Sequence, residues 1–240
     1  MAEIKQSTRI QTSILSAPEK RFLVWAAERM PAWVTSDMLT WFGVFGAALA
    51  GTGYVLANYS LQWLWLASLG YVINWFGDSM DGSLARVRNQ QRKLYGYYLD
   101  HNVDCICEFF IFAGIGMSGL VNFWLALLCY VVYLQLEVYV AINAKIKNEF
   151  KLTYGKMGPT EFRVFMIIVN TLLIYVMPHV NMHHVYDLTI GMNSYRLELQ
   201  LLDYIAFGIW IILFISYLGS FVKDLRYFDR IDPKPGAPKE

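Results

Sequence analysis

The sequence predicts an all-α, polytopic membrane protein, with six transmembrane helices and an N-terminal amphipathic interfacial helix. Three observations predict it. Residues 38–77 contain no Asp, Glu, Lys, Arg or His, and a spanning helix needs roughly 20 apolar residues, so this stretch suits a membrane hairpin. Hydrophobic residues make up 56% of the 240 positions and charged residues 16%, with a mean hydropathy of +0.36, too apolar for an ordinary soluble chain of this size. When six spans are laid out with the N-terminus inside, nineteen of the twenty Lys and Arg residues fall on one side and only Arg196 on the other. That asymmetry is the positive-inside pattern.

Three segments follow: an N-terminal cytoplasmic segment (1–36), a six-helix membrane domain (37–230) and a short tail (231–240) expected to be disordered. In the first, Ser16-Ala17-Pro18-Glu19 reads as a capping box with proline in the first turn. Phe22, Leu23, Ala26, Ala27 and Met30 then share a helix face, which suits a helix lying on the membrane surface. The first span opens near Thr35 and Thr40, with Ser36 or Asp37 as the expected N-cap, and runs to about Ala57. Asn58-Tyr59-Ser60 turns the chain into a second helix, Leu61 to Val87, and the third runs from Leu94 to Met117. Leu120 to Ala144 forms the fourth. A Gly- and Lys-containing loop leads through Gly158 and Pro159 into the fifth, Thr160 to Met177. Residues 178–199 are expected to be an outside loop at the interface, whose His179, His183, His184 and Asp187 lack the spacing of a tetrahedral metal set. The sixth helix covers about 203–222, followed by a basic turn.

Carboxylates crowd the ends of the second and third helices. Asp78 and Asp81 are three apart and Asp100 and Asp104 four apart, so each pair lies on one face of its helix. Acids at that depth are a functional hypothesis by default. Four like charges brought together by facing helices repel one another, and a bound divalent cation, or a pair, removes the conflict. All-carboxylate ligands are hard oxygens, which favour Mg²⁺, Mn²⁺ or Ca²⁺ over zinc or copper. The alternative is a set of helix-terminal acids paired with Arg86, Arg88, Arg92 and Lys93, but such pairing does not ask for Gly82, Ala85 and Gly96 beside the acids. Glycine inside a helix costs about 1 kcal/mol relative to alanine, and close approach of a ligand or a second backbone is the usual reason to keep it.

Further polar residues surround these. Glu108 continues the acidic stripe four residues past Asp104, Glu137 lies inside the fourth helix between Tyr133 and Tyr139, and Glu161 and Arg163 stand at the mouth of the fifth. Glu108 either meets a cationic head group or hydrogen-bonds a neighbouring helix; Arg163 either forks onto a phosphate or marks the interface. The cysteines, Cys105, Cys107 and Cys129, are odd in number, all within expected membrane helices, and imply no disulfide framework. A net charge of +1 gives no electrostatic footprint for nucleic acid.

The run Asp78-x-x-Asp81-Gly82-x-x-Ala85-Arg86, then Gly96-x-x-x-Asp100-x-x-x-Asp104, resembles the signature of the CDP-alcohol phosphotransferases. These are integral membrane enzymes that join two alcohols through a phosphodiester with release of CMP. Eight identities match in order. Nine residues separate Arg86 from Gly96, one more than the commonest spacing, and the extra residue falls in a polar loop. The resemblance implies two Mg²⁺ or Mn²⁺ ions held by Asp78, Asp81 and Asp100 beside Asp104, with Asp104 as the catalytic base. It also implies a nucleotide site at Asp78, Asp81, Gly82, Ala85 and Arg86, with a weaker carry-over to Thr35 and Thr40. It implies a CDP-alcohol donor, a lipid or polar alcohol acceptor, surrounding membrane lipids, a homodimer, and a bacterial inner membrane with the active site facing the cytoplasm.

Asp100-His101-x-x-Asp104 looks like the corresponding run of the choline and ethanolamine phosphotransferases. His101, Glu108, Glu137, Glu161 and Arg163 are the head-group candidates, and the expectation leans to CDP-ethanolamine or CDP-choline with a lipid alcohol. The alternative is CDP-diacylglycerol with a small polar alcohol, which the short chain suits. A cation transporter is the rival from another class, but it does not explain Gly82, Ala85 and Arg86 in register with the acids.

Overall fold

In the computed structural model, which describes residues 8–10, 16–147, 149–151, 158–176, 183–190 and 193–232, seven helices follow one another in chain order. They are α1 Ser16–Arg29, α2 Ser36–Leu56, α3 Leu64–Val87, α4 Lys93–Met117, α5 Phe123–Lys147, α6 Pro159–Val176 and α7 Leu201–Ile231. A 3₁₀ turn, Leu61–Trp63, precedes α3, so the second expected helix begins with a tighter first turn. Four helices, α2, α5, α6 and α7, are long and apolar enough to cross a membrane. At 24 and 25 residues α3 and α4 match them in length but carry the charged motif.

Small residues decide how the centre packs. Gly77 faces Gly43 so closely that a Cβ there would lie 2.5 Å from the Leu39 carbonyl oxygen and 2.6 Å from Gly43 Cα. Gly114 of α4 meets Gly51 of α2 in the same way, with Gly51 Cα 2.5 Å from a would-be Cβ. Backbones brought this close let α2 serve as the common partner of α3 and α4, the arrangement that small-residue seams favour in membranes. Around the seams Ala47, Ala50, Leu64, Ala67 and Tyr71 are fully buried. The other helices attach to this trio: α6 and α1 to α3, α5 to α4, and α7 to α5.

Three elements differ from the sequence expectation. Where a loop was expected over 178–199, His183–Ile190 (β3) pairs antiparallel with Asn193–Gln200 (β4). Val185, Tyr186, Thr189, Ile190 and Tyr195 in these strands suit a pleated surface. A short parallel pairing also joins Thr8–Ile10 (β1) to Glu149–Lys151 (β2). The last helix runs on to Ile231, so Lys223, Arg226 and Arg230 are helical and not in a turn. The physical reason is an added contact with α5, through the ion pair of Asp224 with Lys147 at 2.6 Å.

The expected stripe of α1 also has another use. Leu23 and Ala27 are buried with Met80 and Leu84 of α3, leaving Phe22 and Trp25 exposed. The loop residues around Gly155, His179 and the tail beyond 232 lie outside the described residues.

Candidate functional site

The acidic site forms where α3 and α4 leave the apolar hairpin. On α3, Asn74, Asp78 and Asp81 follow at four and three residues, and on α4 Asp100, Asp104 and Glu108 follow at four. Crossing against α2, these faces enclose a narrow cavity of about 10 Å³, lined among others by Thr40, Asn74, Asp78, Asp100, Asp104 and Cys107. That is about the room of one water-sized sphere.

Three of the four aspartates, 78, 100 and 104, therefore share one cavity. The fourth is turned aside: Asp81 is buried, its Oδ2 accepting a 2.5 Å hydrogen bond from Thr40 Oγ1 and its Oδ1 accepting from the Gly82 N–H. Thr40 is thus in the site, as a donor to an acid. Thr35 instead caps α2, its Oγ1 accepting from the Met38 N–H at 3.2 Å. The cap expected of Ser36 or Asp37 is Thr35, because its extended backbone places the hydroxyl over the first turn.

The cation beside the acids comes from α6. Arg163 Nη2 donates to Asp78 Oδ2 at 2.8 Å, and its Nε donates to Asn74 Oδ1, also at 2.8 Å. Asn74 Nδ2 donates onward to the Gly43 carbonyl at 3.0 Å, so one amide links α6, α3 and α2. Arg163 Nη1 is buried with no hydrogen-bond partner among the described residues. Arg163 is therefore inward-facing, not an interface marker. Arg88 and Arg92 point elsewhere: Arg88 donates to the carbonyls of Met30, Pro31 and Val34, and Arg92 pairs with Asp37 at 3.4 Å.

Gly82 and Gly96 are unlike the packing glycines. A Cβ at Gly82 would meet only the Arg86 guanidinium, at 3.2 Å or more, and one at Gly96 would meet nothing within 4 Å among the described residues. No second backbone explains either glycine. Ala85 lies one turn from Asp81 on the same helix, and Arg86 donates from Nη2 to Ser83 Oγ at 3.0 Å.

A second polar patch lies between α4 and α5. Cys105 Sγ donates to Glu137 Oε2 at 3.4 Å, and Glu108 Oε2 is buried with no hydrogen-bond partner among the described residues. His101 is half-buried, and its Nδ1 lies 3.0 Å from the Tyr97 carbonyl one turn back. Glu161 takes the Gly158 N–H at 3.0 Å, closing the first turn of α6.

The residues the sequence reading passed over are Asn74 and Glu19. Glu19 Oε1 accepts from Trp75 Nε1 at 2.6 Å, Ser79 Oγ at 3.2 Å and Thr160 Oγ1 at 2.8 Å, tying α1 to α3 and α6 around the neighbours of Asp78 and Arg163. The capping-box reading gave this carboxylate a local role. Asn74 did carry a signal: it is an amide within an apolar helix, four residues before Asp78.

The donor set fits a hard divalent cation in kind, since it is made of carboxylate oxygens around an ion-sized cavity. Among the described residues no three side chains already converge as a closed metal cage. Asp78 Oδ2 accepts from Arg163 and Asp81 Oδ2 from Thr40, and each carboxylate keeps further lone pairs with which a cation could be held.

Comparison with known proteins agrees with this motif. The profile of the CDP-alcohol phosphatidyltransferase family matches residues 32–196, which takes in α2 to α6 and the whole acidic site. A phosphatidylinositol phosphate synthase of Cutibacterium acnes is 31% identical over 102 residues, 41% of this chain and 47% of that relative, so the match spans about half of its length. With the family profile covering well over half of the chain, this protein belongs to the CDP-alcohol phosphatidyltransferase family.

Proposed function

We propose that this protein is a metal-dependent phosphotransferase of phospholipid biosynthesis, which transfers a substituted phosphate from a CDP-linked alcohol to an acceptor hydroxyl and releases CMP. The observation that carries the reading is the meeting of Asp78, Asp100 and Asp104 around one ion-sized cavity, with Arg163 bonded to Asp78. Asp78, Asp81 and Asp100 would hold two Mg²⁺ or Mn²⁺ ions, which when bound would neutralise the phosphate oxygens. Asp104 accepts the proton as the acceptor oxygen forms its bond to the phosphorus that carries the alcohol, and the bond to CMP breaks. Gly82, Ala85 and Gly96 leave space for the nucleotide, and Arg163 Nη1 supplies a donor for a phosphate oxygen.

In this reading all six helices from α2 to α7 cross the bilayer. The Lys- and Arg-rich ends and the acidic site face the cytoplasm of a bacterial inner membrane, Phe22 and Trp25 of α1 meet the head-group region, and the protein works as a homodimer.

Two substrate branches each have an observation in favour. Glu108 and Glu137, held close beside Asp104, suit a cationic amino-alcohol head group and therefore CDP-ethanolamine or CDP-choline with a lipid alcohol. The Cutibacterium relative, by its name a phosphatidylinositol phosphate synthase, favours CDP-diacylglycerol with a small polar alcohol. Purified protein given each CDP donor, with metal and with chelator, should release CMP only with metal. CMP from CDP-diacylglycerol plus a water-soluble alcohol alone would select the second branch. Metal-independent release, or none from any donor, would overturn the reading.

A further inference from the structure

α6 packs chiefly on α3, and much of its apolar surface, including Phe165, Ile168 and Leu172, is exposed. Apolar contacts alone hold such a helix weakly in register, because lipid tails are as apolar as the side chains they replace. Directional bonds decide the register instead. One set is at the acidic site, where Arg163 bonds Asn74 and Asp78. A second lies two turns along α6, and the transfer chemistry makes no direct use of it.

That second set centres on Asn170, which is fully buried. Its Oδ1 accepts from Tyr54 Oη of α2 at 2.9 Å, and its Nδ2 donates to Ser68 Oγ of α3 at 3.2 Å. Tyr54 and Ser68 are buried too, and the Tyr71 hydroxyl of α3 lies 3.4 Å from that of Tyr54. A buried amide costs free energy unless it is hydrogen-bonded, so this position discriminates between registers. One turn either way from Ser68 along α3 stand Leu64 and Val72, whose side chains offer an amide no bond. A one-turn slip of α6, about 5.4 Å, would leave Asn170 unpaired and carry the Arg163 guanidinium past Asp78.

Seven residues separate Arg163 from Asn170, so the two share a helix face about 10 Å apart along the axis. On α3 the order is reversed, with Ser68 preceding Asn74 and Asp78, and the antiparallel pair is pinned at two heights. The bond from Thr160 to Glu19 ties α6 to α1 on the other side of Arg163 and leaves the apolar half of α6 to Asn170.

From this geometry we infer that Asn170 is a positioning residue for the transfer: held between Tyr54 and Ser68, it fixes the register of α6 and so delivers Arg163 to Asp78 and to a phosphate oxygen. The inference rests on the reading of Arg163 as a phosphate donor, and two measurements keep the two apart.

The first is thermal unfolding in detergent of the full chain carrying Asn170→Leu, Arg163→Gln or both. Sites this far apart with no shared partner normally add. Because Asn170 delivers Arg163, the fall in melting temperature caused by Arg163→Gln should shrink to about half or less in the Asn170→Leu background. Equal falls in both backgrounds overturn the inference. The second is calorimetric binding of CDP in the presence of Mg²⁺. Asn170→Leu should weaken it about tenfold in the wild type and less than about twofold once Arg163 is glutamine. A residue that only supports the fold would weaken binding alike in both backgrounds, and that result also overturns the inference. A wild type that binds no CDP would sink the transferase reading, and the thermal cycle would then decide the role of Asn170. If Asn170→Leu does not fold, Tyr54→Phe combined with Ser68→Ala removes the same two bonds from the other side and replaces it in both cycles, with the same expected outcomes.

Discussion

Arg163 on α6 reaches Asp78 on α3 across 2.8 Å, and it does so from a side chain whose third nitrogen, Nη1, is buried with no partner among the described residues. A guanidinium in that position does two jobs. It offsets the charge of the carboxylate crowd, and it holds an unmet donor on the guanidinium bonded to Asp78, where an anionic oxygen would satisfy it.

Arg163→Gln should therefore lower thermal stability by about 1.5–3 kcal/mol, the usual worth of a charged hydrogen bond, and should raise the KM for the phosphate-bearing substrate more than it lowers kcat. Arg163→Lys keeps the charge but loses the fork to Asn74. It should recover stability better than activity. Thermal melts in detergent and steady-state kinetics check both.

Asp104→Asn should abolish turnover while leaving metal-dependent CDP binding largely intact, since proton acceptance and ligation are separable losses. Asp78→Asn and Asp100→Asn should weaken both. Calorimetry that finds equal loss of nucleotide binding in all three variants would refute a separate base.

Two glycines should respond in opposite ways. Gly77→Ala puts a methyl against the Leu39 carbonyl and Gly43 Cα, and should destabilise by about 1–3 kcal/mol through overpacking. Gly96→Ala meets nothing within 4 Å, so helix propensity should stabilise it by up to about 1 kcal/mol. If the nucleotide uses that space, the same variant should bind CDP more weakly. A Gly96→Ala protein that melts higher and binds CDP normally would remove the nucleotide from this face.

Glu19 links α1 to Trp75, Ser79 and Thr160 through one oxygen. Glu19→Ala leaves those donors without an acceptor and should cost on the order of 1–3 kcal/mol. Glu19→Gln retains a carbonyl oxygen and should keep part of the stability. Limited proteolysis should cut after Arg29 faster in the alanine variant than in the glutamine one; identical rates would show that α1 docks through Leu23 and Ala27 alone.

Sidedness can be read by labelling. A cysteine at Ser194 should react with an impermeant thiol reagent from outside intact cells and one at Gln90 should not. The reverse pattern would invert the topology and put the acidic site on the wrong face for cytosolic nucleotide.

The sequence by itself determined the helical class, the hairpin of α2 and α3, and the placement of four aspartates on two helix faces, because helical period and the absence of charge over 38–77 are local properties. It also carried the family, through eight identities at fixed spacing. Only the tertiary structure decided that Arg163, 85 residues from Asp78, is its cation, and that Arg88 and Arg92 are not. Thr40 lies 41 residues from Asp81, and their bond follows from the Gly43–Gly77 seam, which sets how near α2 comes to α3. Such pairings depend on which helix packs against which, and at what distance. The β3–β4 hairpin and the long α7 were missed for a related reason: cross-strand pairing in one and the Lys147–Asp224 pair in the other support what local pattern leaves undecided.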